Sequence, residues 1–108
     1  IGADRISKEL HFISEKVNST STNIELDYKF NEKDDPNRYY FRSDHYNFAQ
    51  EGIPVIFYFN GTHADYHKPS DTPDKINYKL LTKRAQLIFS TAWYLANKEG
   101  DLIHNEDI

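Results

Sequence analysis

Apolar residues recur along the chain with more than one period, and the changes of period mark the elements. Ile6, Leu10, Ile13 and Val17 are spaced by 4, 3 and 4 residues, which puts them on one face of an amphipathic helix. Asn18 to Asn23, a run of Asn, Ser and Thr, breaks that spacing with turn-forming side chains. Ile24, Leu26, Tyr28 and Phe30 then alternate with polar neighbours, the pattern of a half-buried strand. Asn31 to Arg38 is charged and contains Asp35-Pro36, a surface loop. Ser43 is placed to cap a short helix over 44–51 that Gly52 ends. Ile53-Pro54-Val55-Ile56-Phe57-Tyr58-Phe59 is continuously apolar, as a parallel strand covered on both faces is. A polar loop from Asn60 to Lys75, punctuated by Gly61, Pro69 and Pro73, follows it. The last stripe, Ile76, Leu80, Leu81, Leu87, Ile88, Ala92 and Leu95, predicts a long helix over 77–98. Leu80, Leu87, Ile88 and Leu95 are its expected core positions, and Lys79, Lys83 and Lys98 its solvent side. Gly100 ends it, and residues 101–108 are expected as a flexible tail.

Helix, strand, short helix, buried strand and long helix in that order predict an α/β fold built on a mostly parallel sheet. In such sheets the ligand site lies beyond the carboxyl ends of the strands. The loop after Phe59 leaves at that edge and carries His63, Asp65, Tyr66, His67 and Asp71.

Composition narrows the chemistry. Cys is absent, so a metal here would be held by His and carboxylates rather than thiolates. The net charge of −4, with basic residues interspersed among acids, argues against a nucleic-acid surface. No apolar run approaches the roughly 20 residues of a membrane span, and none has the layout of a signal peptide. The chain opens on Ile1-Gly2 rather than Met, which predicts a cut end.

His67, in a loop leaving a buried run, is placed to ligate zinc through a neutral ring nitrogen. One His does not hold a zinc, which takes about four ligands. His63 lies four residues earlier, but Gly61 and Pro69 around the pair predict a loop rather than the helix that would aim both rings at one ion. Tyr66 has two readings, an aromatic packing on the loop or a phenol that donates to a developing oxyanion. Asp71 likewise either caps the turn into Thr72-Pro73 or accepts from the ring N–H of the metal-binding His. Ser43-Asp44-His45 is not a nucleophilic triad, because three adjacent side chains at a helix start do not converge on one proton. Asn18-Ser19-Thr20 and Asn60-Gly61-Thr62 match the glycosylation sequon, a match that arises by chance in an Asn- and Thr-rich chain.

The motifs taken together, Arg42-Ser43-Asp44-His45-Tyr46-Asn47-Phe48, Gly52-Ile53-Pro54 and Asp65-Tyr66-His67-Lys68-Pro69-Ser70-Asp71-Thr72, resemble metallopeptidase family 28 from about Ser7 to Lys98. This family comprises the di-zinc aminopeptidases, glutamate carboxypeptidases and related glutaminyl cyclases. The resemblance implies the C-terminal portion of a three-layer αβα zinc-peptidase domain, phosphorylase/hydrolase-like, with a mostly parallel central sheet. It implies a peptide substrate, a metal-activated water as nucleophile, and a periplasmic or secreted setting rather than a cytoplasmic one. It assigns His67 as a zinc ligand, Tyr66 as the residue that stabilises the tetrahedral intermediate, and Ser43 and Asp44 to the substrate pocket. Tyr rather than Trp before that His resembles the peptidase branch and not the cyclases.

The family's remaining metal ligands and its general base, carried by a His-x-Asp segment, a Glu-Glu pair and a further acid, have no counterpart in this sequence. The expectation is therefore one catalytic-domain fragment over 1–108, inactive alone, whose two zinc ions need the missing N-terminal part of its own domain. Exposed strand edges predict self-association. A glutaminyl cyclase-like acyltransferase or a non-catalytic binding fragment are the competing readings.

Overall fold

Ser7 opens the first long element: its side-chain oxygen accepts the Leu10 N–H at 3.3 Å, the bond an N-cap makes. In the computed structural model, which describes residues 1–107, a short helix α1 (Ala3–Ile6) precedes this cap and α2 (Lys8–Thr20) follows it. Next come α3 (His45–Gln50) and α4 (Tyr78–Asn97), with single 3-10 turns at Lys29–Asn31, Tyr39–Phe41, Pro73–Lys75 and Asn105–Asp107. Asn77 caps α4 by accepting the Leu80 N–H at 3.1 Å. A left-handed Gly52 (φ +76°) closes α3, with Gly52 N–H bonded to the Ala49 carbonyl and Ile53 N–H to the Phe48 carbonyl, a Schellman ending. No helix among the described residues is long and apolar enough to cross a membrane.

The centre lies between α2 and α4. Ile13, Val17 and Leu87 are buried there, with Ile24, Leu26, Tyr58, Leu95 and Leu102 packed round them. A polar thread crosses this apolar contact. The Tyr58 hydroxyl lies 2.7 Å from Ser14 Oγ and 3.0 Å from Thr91 Oγ1, and the latter donates to the Leu87 carbonyl. Tyr58 therefore ties the 53–59 run to both helices. Its neighbours Phe57 and Phe59 point away into a second, aromatic layer with Phe30, Tyr39 and His45. Within the run, Tyr58 faces the helices and Phe57 and Phe59 the aromatic layer.

The predicted α/β architecture is nevertheless overturned. The structure is helical, no strand occurs among the described residues, and no backbone ladder joins residues 24–30 to 53–59. The physical reason is that apolar patterning fixes which faces of an extended run are buried, whereas a strand also needs a second extended run beside it. Residues 24–28 keep the alternation of half-buried Ile24 and Leu26 with exposed Glu25 and Asp27, but they pack on helices. Among the described residues, Phe57 alone in its run exchanges backbone bonds in the manner of a sheet pair, giving and receiving one with Ile1 at 2.9 and 2.8 Å.

Gly2 anchors that end of the chain. Its left-handed φ of +87° and the Tyr40 ring, which a Cβ would meet at 2.5 Å, leave room for no side chain. The Arg5 guanidinium sits 4.0 Å over the same ring. The segment expected as a tail is described through Asp107, with Asn105 accepting the Lys8 N–H and donating to the Asp4 carbonyl; Ile108 lies outside the described residues.

The long helix turns a different face inward than its apolar stripe predicts. Leu87 is buried and Leu95 half-buried, but Leu80 and Ile88 are exposed and Thr91 is enclosed. Lys79 and Lys83 face solvent as expected. Lys98 does not: it is largely covered, 3.5 Å from Glu9. Leu81, Phe89 and Trp93 line the outer side of α4 with exposed apolar surface.

Candidate functional site

The apolar run delivers the chain, at Phe59, into the loop 60–75 that the sequence singles out. His63, Asp65, Tyr66, His67 and Asp71 lie together there, all exposed or half-buried. Backbone bonds fold the loop into successive turns: Tyr66 N–H to the His63 carbonyl at 3.0 Å, Lys68 N–H to Asp65 at 3.0 Å, and Asp71 N–H to Lys68 at 3.1 Å. The Asp65 N–H also donates to His63 Nδ1 at 3.2 Å, which leaves Nε2 to carry the proton in the neutral ring.

His67 takes the third position of the Asp65–Lys68 turn with φ +56°, a conformation that favours glycine there. A side chain in that region is disfavoured and persists where its surroundings hold it. The Tyr66 and His67 rings stack, with centroids 4.0 Å apart and 16° between their planes. Asp65 is bound across the loop by Lys75, Nζ to Oδ1 at 3.1 Å. The Ser70 hydroxyl and this ammonium hold the Asp65 carboxyl below the usual carboxylate range. Asp71 faces His63, Oδ2 to Nε2 at 3.9 Å, and no hydrogen bond joins it to His67 among the described residues.

Ser43 and Asp44 stand exposed at the start of α3, on a separate segment. Asp44 is the cap residue of α3 but makes no side-chain cap bond, so the capping expected of Ser43 is not what starts this helix. His45 connects the segment to the apolar run: its ring stacks on Phe57 with centroids 4.4 Å apart, and its Nε2 lies 2.6 Å from the Tyr40 carbonyl. Donation to that carbonyl fixes the Nε2–H tautomer and leaves Nδ1 buried without a partner. Burial lowers the His45 pKa from its ordinary value. The lone pair of the neutral ring is therefore on Nδ1, which is buried, and no hydrogen bond joins His45 to Ser43 among the described residues.

His67 is exposed with its ring flat against Tyr66, and no group of three or more His, Cys, Asp or Glu able to hold a metal exists among the described residues. The residues of this chain alone do not fit a zinc site. Surface concavities lie along α4, by Ser21, Thr22, Lys79 and Lys83 and by Phe89 and Trp93. Lys75 carries no motif signal and goes unread in the sequence; its partner Asp65 lies ten residues away, a spacing no local pattern marks. Asn18 of the first sequon is buried, accepting from Ile24 N–H and Thr22 Oγ1, and is closed to glycosylation.

Compared with known proteins, residues 5–92 match the family model of peptidase family M28. No curated protein and no solved structure matches the chain.

Proposed function

Because the chain belongs to peptidase family M28, we propose that it is part of a metallo-exopeptidase of the aminopeptidase type and brings Tyr66 and His67 to the reacting centre. The observation that carries this reading is the stacked Tyr66–His67 pair, presented by a strained turn where the apolar run ends, inside the matched span. Strained side-chain-bearing backbone concentrates at functional sites. His67 offers one imidazole to a two-zinc site, and the other ligands and the general base come from residues outside this chain. The Tyr66 phenol donates a hydrogen bond to the oxyanion that forms when the peptide carbonyl is attacked. Ser43 and Asp44, joined to the run through the His45–Phe57 stack, border the substrate pocket. Asp71, on the same loop, would accept from the His67 ring N–H in the assembled site.

The test is to offer the full-length protein two substrates, peptides with varied N-terminal residues and a peptide with N-terminal Gln. Release of the N-terminal residue is the expected result. Formation of pyroglutamate without residue release would replace the peptidase by a cyclase-like acyltransferase. Absence of both reactions with zinc supplied would leave a binding role and overturn the proposal.

A further inference from the structure

We propose that Asp65 and Lys75 form a clamp that sets the position of the Tyr66–His67 pair, which makes Lys75 a positioning residue for the reaction. The inference rests on the peptidase reading for its kinetic consequence, and on the loop geometry alone for its structural one.

A turn with His in a glycine-favoured, left-handed position does not hold itself. The bonds within the turn, Lys68 N–H to Asp65 and Tyr66 N–H to His63, close it locally but do not orient it against the rest of the molecule. One side chain of the turn reaches across: the Asp65 carboxylate, 3.1 Å from Lys75 Nζ. Lys75 is itself fixed. It ends the Pro73–Lys75 turn, its N–H bonds to the Thr72 carbonyl at 3.1 Å, and the Tyr78 hydroxyl donates to the Pro73 carbonyl at 2.9 Å. Tyr78 is the first residue of α4, so the clamp ties the turn to the root of the long helix. The other crossing in the loop, His63 to Asp71, spans 3.9 Å between two side chains that are each about half exposed. That is too long for a hydrogen bond, and both ends lie inside the loop.

The Lys75 and Asp65 side chains are 47% and 28% exposed, and an ion pair so placed adds little to global stability. Its effect is local. It chooses where the Tyr66 hydroxyl and the His67 ring sit, and misplacement of a catalytic group by about 1 Å costs up to about 10²-fold in rate.

The experiment uses the full-length protein with ¹³C-labelled histidine and the variants Lys75→Met, Lys75→Arg and Asp65→Asn. Three quantities are read for each: kcat and KM on a peptide, the thermal midpoint, and the His67 ring shift, which stacking on Tyr66 moves upfield. Lys75→Met and Asp65→Asn are expected to lower kcat by about 10- to 100-fold with KM near wild type. The His67 signal should move toward its unstacked position while the thermal midpoint stays put. Lys75→Arg should restore both rate and shift. Wild-type kcat with an unmoved His67 signal in Lys75→Met would overturn the clamp, as would a loss that Lys75→Arg does not rescue. If no variant and no wild-type sample cleaves peptide, yet the His67 signal moves in Lys75→Met and returns in Lys75→Arg, the clamp stands and the peptidase reading falls.

Discussion

Replacing Tyr58 by Phe removes one oxygen from the middle of the molecule and leaves the ring in place. That oxygen is shared, at 2.7 Å from Ser14 Oγ and 3.0 Å from Thr91 Oγ1, between hydroxyls whose residues are only 3% and 2% exposed. Thr91 keeps a second partner in the Leu87 carbonyl at 2.9 Å. Among the described residues Ser14 has no other side-chain bond, so the cost falls mainly on it. A buried hydroxyl left without a partner costs about 1–3 kcal/mol, and Tyr58→Phe should destabilise the protein by about that much. Ser14→Ala removes the stranded hydroxyl itself and leaves Tyr58 its bond to Thr91, so it should cost about 1 kcal/mol. The double variant should then cost less than the sum by about 1 kcal/mol, the coupling expected of neighbours in one network. The assay is urea denaturation of the purified proteins followed by far-ultraviolet circular dichroism, with midpoints compared at constant slope. Additivity of the two substitutions within about 0.3 kcal/mol would refute the reasoning, because it would mean that Tyr58 does not bridge α2 and α4.

Further predictions follow from the same packing and from the tied histidine. Leu87→Ala should cost about 2–5 kcal/mol, since Leu87 is 3% exposed and central to the core; an unchanged denaturation midpoint would put the core elsewhere. His45 has its pKa lowered by burial, so the folded state favours the neutral ring while the unfolded chain takes up a proton near pH ~6.5. This stabilisation is complete above that pH and is lost as pH falls toward the lower folded pKa. Wild type should therefore lose more stability than His45→Gln on acidification from about pH 7.5 to 5, and parallel pH profiles would contradict the assignment.

The helices were legible because their signals are local. The spacing of Leu10, Ile13 and Val17, and Gly52 at an exit, each act within a few residues, whereas the cap expected of Ser43 does not form. That no sheet forms among the described residues was not legible, because strand pairing depends on another segment. The apolar run 53–59 shows its two-sidedness in its sequence, and Tyr58 and Phe57 do point to opposite layers, yet no residue in it names a partner strand. The inward face of α4 was misread for a related reason. Thr91 reads as polar but is enclosed because the Leu87 carbonyl and Tyr58 satisfy its hydroxyl, whereas Leu80, two turns before Leu87 on the same face, is exposed near the start of the helix. Lys98 reads as solvent-facing, and its tie to Glu9 joins residues far apart in the chain. At the candidate site the residue types were readable and their arrangement was not. Tyr66 and His67 stand adjacent in the sequence, but the left-handed turn that stacks them and the Asp65–Lys75 tie across the loop are products of the folded chain.

The most direct test of the central claim, that Tyr66 and His67 belong to the reacting centre of a metallopeptidase, is the zinc content of His67→Ala in the full-length protein, measured alongside its turnover and that of Tyr66→Phe. The account predicts that His67→Ala loses zinc and nearly all activity, whereas Tyr66→Phe keeps its zinc and turns over about 10²–10³ times more slowly. Full zinc content and wild-type turnover in His67→Ala would contradict it.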